Sequence, residues 1–302
     1  VTLTAPPRLL LVHAHPDDET LWTGGTIARY AERGVQVVVV TCTLGEEGEV
    51  IPESLRGLAV DEADQLGGYR VGELRAACTA LRVTDQRFLG GIGRWRDSGM
   101  LWERPGTAGA RPDAHPRAFA VGDREQQTSA LEDVLREVKP QVVVTYAEDG
   151  GYGHPDHVRA HEITVAAVER VPEVQRLFYA VQSRAAVTAG LARLAEVEEL
   201  PFDLPSPDEV ASVDDDSITT EIDISGQLPA KISAMRAHGT QIKVWLDRWN
   251  NGDGIAAYAL SNGIAQPVVD TEHFVLASGD PDGCANDLFG GLGPIGESVG
   301  NR

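Results

Sequence analysis

The chain predicts an α/β fold: a Rossmann-like, mostly parallel sheet with helices on both faces, plus a smaller C-terminal α/β portion. Three observations carry this. Arg8–Ala14 and Val35–Cys42 are short, continuous apolar runs, the pattern of strands buried on both faces rather than on one. Between them Thr20–Arg33 places apolar residues at helical spacing and stops at Gly34. Pro140–Tyr146 is a third buried run, followed by a helical stretch, Asp156–Arg170, and another strand, Val174–Val181. Strands alternating with helices make a parallel sheet.

The remaining elements follow in order. Asp61–Leu81 reads as a long helix interrupted at Gly67-Gly68, Gln86–Leu89 as a short strand and Ser129–Val138 as a helix. Gly90–Arg117 is rich in Gly, Arg, Trp and Pro and predicts a long loop. Loops of that length inside a compact α/β domain are usually functional. From about residue 183 the texture changes: Ala185–Glu199 is helical, Pro201–Asp216 an acidic loop, Thr219–Ile224 a strand and Gln227–Thr240 a helix. The Gly-rich tail from Gly279 onward predicts loose order. Residues 1–182 therefore read as the catalytic domain, and 183–302 as a smaller domain or an extension packed on it.

Composition narrows the partners. At 302 residues the chain can bury a large core, and 42% apolar with 24% charged residues is an ordinary globular balance, so disorder is not expected. A formal charge of −20 disfavours nucleic acid and anionic membranes, both polyanions. Cys42, Cys78 and Cys284 are too scattered for a disulfide framework, which points to a reducing compartment. The N-terminal apolar run, Leu9–Val12, is too short for a signal or a span, so the expectation is a cytoplasmic protein. Its oligomeric state is not set by the sequence.

Two segments could carry chemistry: His15-Pro16-Asp17-Asp18-Glu19 after the first strand, and Gly150-Gly151-Tyr152-Gly153-His154-Pro155-Asp156-His157 soon after the third. Both stand where a parallel sheet opens its ligand crevice. A hydrolytic metal ion needs about three protein ligands, an open position for water, and a nearby carboxylate that is not a ligand. His15, Asp18 and His157 make such a set, with Asp17 left as the base. The bland alternative is that Asp17 or Asp18 caps the helix near Thr20, and Asp156 the helix after it. Either motif alone is weak; their joint occurrence at matching strand ends favours a metal. His13 reads as a supporting or core residue and His161 as a surface or packing one, His115, His238 and His273 carry no strong local signal, and Trp95 and Trp102 read as packing rather than as sugar platforms. The first turn lacks G-x-G-x-x-G, which excludes a dinucleotide, and no G-x-S-x-G elbow is present.

AHPDDE and GHPDH together resemble the N-acetylglucosaminyl-phosphatidylinositol de-N-acetylase-like family of metal deacetylases. LGEEGEV, GRWRDSGM and AMRAHGTQ extend the resemblance over nearly the whole chain, while the acidic stretch 196–216 matches poorly. The family's ligands fall on His15, Asp18 and His157 and its general base on Asp17. The resemblance further implies that Tyr152 stabilises the oxyanion, that His154 stabilises the intermediate or protonates the amine, and that Asp156 orients or tunes His154. Substrate contacts fall on Glu49, Arg70 and Asp97. The implied reaction is removal of acetate from N-acetylglucosaminyl-inositol, a step of mycothiol biosynthesis, with one Zn2+ (or Fe2+) per chain. The alternatives are a mycothiol S-conjugate amidase, a deacetylase of another N-acetyl amino sugar, and a metal-dependent phosphoesterase. Relatives of the amidase kind carry a lysine shortly after HPDDE, where this chain has Thr20-Leu21-Trp22.

Overall fold

A computed structural model describes residues 6–104, 106–206, 209–250 and 253–292. The chain begins in the middle of its sheet. β1 (Arg8–His13) leads through α1 (Asp18–Glu32) to β2 (Gln36–Thr41), then through α2 (Leu66–Ala80) to β3 (Asp85–Phe88) at one edge. A small hairpin, β4 (Leu101–Arg104) and β5 (Thr107–Gly109), precedes α3 (Arg124–Val138). The chain then returns to the middle with β6 (Val142–Tyr146), which pairs β1 in parallel as Leu9↔Val142, Leu10↔Val143 and Leu11↔Val144. After α4 (Pro155–Glu169), β7 (Arg176–Val181) extends the other side. The order reverses between β1 and β6, so the crevice at their carboxyl ends is the topological switch point where such sheets bind ligands.

Both faces are covered because both faces of each central strand are apolar. Leu9 and Leu11 pack in one layer with Ile27 and Tyr30 of α1 and Leu74 of α2. Leu10 and Val12 pack in the other with Leu131 and Leu135 of α3 and Ala160 and Ile163 of α4. These residues are almost fully withdrawn from water; removing a side chain of that size from water is worth about 1.5–3 kcal/mol.

The rest of the chain contributes α5 (Arg184–Ala195), β8 (Thr220–Asp223), α6 (Leu228–Ala237), β9 (Lys243–Asn250), β10 (Asp253–Ala259), β11 (Gln266–Pro267) and β12 (Thr271–Ser278). β12 runs antiparallel between β7 and β8 and completes a seven-stranded sheet of order β3-β2-β1-β6-β7-β12-β8. β11-β10-β9 forms a separate three-stranded sheet in this part. The residues after 183 therefore supply two strands, β8 and β12, to the same sheet as β1 and β6.

Four local expectations need correction. α2 is not interrupted at Gly67-Gly68: it starts at Leu66, so both glycines lie in its first turn. Gly67 is required there, because a Cβ would stand 2.7 Å from Glu46 Cγ. α3 starts earlier than Ser129, at Arg124, because the Asp123 carboxylate accepts from the Glu125 and Gln126 amides and caps it. The 90–117 segment is not wholly irregular, since it contains β4 and β5. The tail is not loose up to residue 292: Leu288 is fully buried, and Arg176 donates to the carbonyls of Asp280 (2.7 Å), Asp282 (2.6 Å) and Leu288 (3.0 Å). The last ten residues lie outside the described part. All three cysteines are buried and unpaired. No helix of the described residues is long and apolar enough to cross a membrane.

A buried ion pair locks α1 onto the C-terminal part. Glu272 of β12 accepts from the Gly25 amide at 2.9 Å and the Thr26 amide at 2.8 Å. Lys231 of α6 donates to Glu272 at 2.7 Å and to the Leu21 carbonyl at 3.1 Å. The helix can approach this closely only at a residue without a side chain: a Cβ on Gly25 would fall 2.4 Å from Ile224. Gly25→Ala is therefore expected to lower stability by about 1–3 kcal/mol. Gly68→Ala, where a Cβ meets nothing within 4 Å, should raise it by about 0.5–1 kcal/mol. Urea unfolding midpoints at unchanged m values check both signs.

Candidate metal centre

The parallel register of β1 and β6 delivers the two histidine-bearing loops to one place. Asp18 Oδ2 stands 3.2 Å from His15 Nδ1 and 3.3 Å from His157 Nε2, so one carboxylate bridges imidazoles from both loops. The ring of His154 lies 4.6 Å from that of His15 and 5.0 Å from that of His157. One nitrogen each from His15, His154 and His157 lie within 4.8 Å of one another, a cluster that could hold a metal ion. His15, Asp18, His154 and His157 are all buried.

Hydrogen bonds sort these imidazoles by tautomer. His157 Nδ1 is 3.0 Å from the Gly150 carbonyl, which can only accept, so Nδ1 carries the proton. The other ring nitrogen, Nε2, is buried, has no hydrogen-bond partner among the described residues and faces the Asp18 carboxylate. With Nδ1 tied down, Nε2 and the carboxylate it faces are a donor set that could hold a cation, with the ring oriented from behind. His154 is the reverse case. Its Nδ1 accepts from the Asp156 amide at 3.1 Å and so caps α4, which leaves the proton of the neutral ring on Nε2 as a donor. Burial first, then the neighbouring His15 and His157, push its pKa well below the usual imidazole range and keep the ring neutral.

His15 Nε2 lies 3.3 Å from Asp156 Oδ2 and 3.5 Å from Asp97 Oδ1. Here the structure corrects one expectation. The Asp156 carboxylate does not orient His154; it faces His15 and accepts from the Ser98 amide at 2.9 Å and from the Ser98 hydroxyl. Only the backbone of Asp156 meets His154. His15, Asp97 and Asp156 also lie close enough to form a ligand group of their own. The oxygens of Asp97 are already engaged, by the Glu47 amide at 3.2 Å and the Gly99 amide at 2.9 Å.

Neither Asp17 nor Asp156 caps a helix with its side chain. Asp17 is the N-cap residue of α1, yet its carboxylate makes no capping bond and pairs with Arg70 at 3.1 Å. Its backbone is held at φ 112°, a conformation side-chain-bearing residues avoid. Burial pushes the Asp17 carboxyl up to about 6, against the pull of Arg70. Arg70 is itself buried and donates to the carbonyls of Gly45 (2.7 Å) and Pro16, so it is turned inward onto the HPDD turn rather than outward to a ligand. Asp97 is likewise buried, and of the three expected substrate contacts only Glu49 is exposed.

The sequence reading missed several supports. Ser98 fixes Asp156, as above. Tyr146, at the end of β6, stacks on His157 with ring centroids 4.1 Å apart and accepts from the Ala14 amide at 2.8 Å. His238 follows α6 and is wholly buried; its Nε2 donates to Glu19 Oε1 at 2.7 Å. The other Glu19 oxygen accepts from the Asp17 amide at 2.9 Å, which holds the strained turn. Burial alone would raise the Glu19 carboxyl, but His238 outweighs it and holds the group below its usual range. AMRAHGTQ carried this signal as a motif, but only the fold shows that its histidine reaches HPDDE. His13, beside Thr23 Oγ1 at 3.0 Å, and His161, 3.0 Å from the Tyr146 carbonyl, are buried supporting residues. Trp95 is buried against Phe119 with ring centroids 6.0 Å apart; Trp102 is exposed.

Breaking the Glu19–His238 pair leaves a buried carboxylate short of a partner. His238→Ala is expected to destabilise the protein by about 3–5 kcal/mol. A double-mutant cycle with Glu19→Gln, followed by urea unfolding, should show less loss than the two single changes added together.

Comparison with known proteins agrees with this geometry. Residues 10–168 match the family model described as GlcNAc-PI de-N-acetylase, PIG-L. The 1D-myo-inositol 2-acetamido-2-deoxy-alpha-D-glucopyranoside deacetylase 1 of Saccharopolyspora erythraea is 74% identical, with 100% of each chain covered. The deacetylase of the same name from Actinosynnema mirum is 65% identical over 97% of this chain and 100% of its own. Among solved structures, GalB, the 4-carboxy-2-hydroxymuconate hydratase of Pseudomonas putida, has a similar fold, with a TM-score of 0.50, 20% identity, and 76% of this chain and 78% of that one covered. That likeness concerns the fold alone. With the family model spanning the loops that carry all three histidines and full-length relatives at this identity, the chain belongs to the GlcNAc-PI de-N-acetylase (PIG-L) family.

Proposed function

We propose that this protein is a zinc-dependent N-deacetylase that hydrolyses the acetamide of N-acetylglucosaminyl-inositol to acetate and the free amine, within mycothiol biosynthesis. The observation that carries the reading is the Asp18 carboxylate set between His15 Nδ1 and the unpartnered Nε2 of His157. The named substrate of the 74% identical relative supports the choice of sugar. His15, Asp18 and His157 would hold one metal ion, which when bound makes water more acidic and a carbonyl more electrophilic. Two imidazoles and a carboxylate suit zinc and also accept Fe(II).

The chain's own groups account for the proton traffic. Asp17, raised to about 6, is ionised at neutral pH yet basic enough to take a proton from the attacking water. Arg70 and the Glu19 bond to the Asp17 amide fix where that carboxylate sits. Tyr152, with its ring 5.0 Å from that of His157, offers a hydroxyl to the oxygen on which negative charge develops. A donor so placed is worth about 3–4 kcal/mol in comparable sites. Neutral His154, with its proton on Nε2, can donate a hydrogen bond that stabilises the tetrahedral intermediate, while the proton Asp17 takes from water passes to the departing nitrogen as the C–N bond breaks. Asp156 steadies His15, and Glu49, exposed, is free to meet substrate hydroxyls.

Asp17→Asn is expected to lower kcat by about 10²–10⁴-fold while bound metal stays near one per chain. His157→Ala should instead strip the metal. Metal analysis beside steady-state rates separates the two, and a D17N enzyme of parental kcat would remove Asp17 as the base. Chelation should abolish turnover, and zinc or Fe(II) should restore it. Faster turnover of a mycothiol S-conjugate or of N-acetylglucosamine than of N-acetylglucosaminyl-inositol would overturn the substrate assignment.

A further inference from the structure

The β4–β5 hairpin is built against the site rather than merely near it. The Ala108 amide of β5 donates to the Tyr152 carbonyl at 2.7 Å. Gly153 adopts φ +88° and could carry no side chain, because a Cβ would lie 2.4 Å from the Ala108 carbonyl oxygen. The hairpin base is fixed as well. Arg96 donates to Asp64 at 2.7 Å and to Glu47 at 3.2 Å, Arg111 reaches Glu47 at 3.4 Å, and Ser98 is tied to Asp156.

On this anchored support Trp102 is 52% exposed. Its ring centroid lies 6.2 Å from that of Tyr152, inclined by 31°, and Tyr152 is in turn the ring beside His157 and His154. Single exposed aliphatic residues are ordinary surface. An indole is different: it offers about 150–250 Å² of rigid apolar area, and here the ring lies tilted beside the tyrosine next to the histidine cluster. The ligand chemistry that fits an open, neutral aromatic face beside a carboxylate-rich crevice is the carbon–hydrogen face of a pyranose ring, whose hydroxyls at the rim remain free for polar groups.

We propose that Trp102 is the platform on which the substrate's sugar ring lies, so that its acetamide extends past Tyr152 toward His15, Asp18 and His157. This rests on the N-deacetylase reading above, and it assigns substrate recognition to the hairpin.

The test compares Trp102→Ala and Trp102→Phe with the parent holoenzyme on N-acetylglucosaminyl-inositol and N-acetylglucosamine. Binding of the amine product, glucosaminyl-inositol, is followed by tryptophan emission and by calorimetry. Because Trp102 is exposed, both variants should fold and retain metal. The platform predicts that W102A raises KM for both sugars by roughly 3- to 10-fold at near-parental kcat, and that W102F recovers most of the loss. The product-induced emission change should disappear in W102F while calorimetric binding persists. Unchanged KM and product affinity in W102A would overturn the platform. So would a fall in kcat alone, which marks a mere prop for Tyr152, or a KM penalty with product binding untouched. A parent that binds product through Trp102 but releases no acetate would keep the platform and remove the deacetylase reading. A parent that turns over while W102A matches it would do the opposite, and a parent that neither binds nor hydrolyses would remove both.

Discussion

Asp18 reaches two imidazoles that stand more than 140 residues apart in the chain, and the fold can be read as the means of allowing that contact. His15 leaves the end of β1 and His157 sits in the first turn of α4, just beyond β6. Their distance is therefore set by the parallel pairing of Leu9–Leu11 with Val142–Val144. A slip of one residue would turn each of those side chains to the opposite layer, so the two apolar cores specify the register and thereby the site. The same carboxylate also accepts from the His15 amide at 2.9 Å, which closes the HPDD turn on itself.

Around that contact each functional side chain is held by a group that is itself held. His157 is turned by the Gly150 carbonyl and backed by the Tyr146 ring. His15 leans on Asp156, and Asp156 on Ser98. Asp17 is gripped by Arg70, and its amide by Glu19, which His238 holds in turn. Such outer partners orient ligands and tune their basicity. They also explain why unusual backbone collects here. Asp17 at φ 112° is a conformation that only a strongly determined environment keeps in place, while Gly150, Gly151 and Gly153 supply left-handed turns without strain.

Much of this was legible in the residues. Continuous apolar runs announced the buried strands, and two histidine–proline–aspartate segments at matching strand ends announced the cluster of imidazoles and carboxylates that could hold a metal. What escaped depends on contacts that local pattern does not encode. β12 follows Val268 and Val269 with no helix between, yet it inserts antiparallel beside β7, a pairing that only the assembled sheet reveals. His238 lies in a motif whose spacing matches no ligand pattern, because its partner, Glu19, comes from the far end of the chain. The family resemblance places Arg70 among the substrate contacts. In the fold it becomes an internal strut, because Gly45 leaves room for the guanidinium to turn inward. Trp102 reads as one more packing aromatic; its exposure follows from the hairpin that carries it, and Gly90–Arg117 gives little periodicity from which to foresee strands.

The place of β12 has a further consequence for how the protein is made. While the chain emerges from the ribosome, β7 stands as an open edge until residues 271–278 arrive to pair with it, and α1 lacks the Glu272 anchor for the same interval. Non-local pairing of this kind is slow to form, and it exposes an unpaired strand meanwhile. The HPDD turn receives its clasp from His238, far downstream in sequence, so a chain stopped before that residue would carry the whole His15–Asp18–His154–His157 cluster and still lack the contact that braces it.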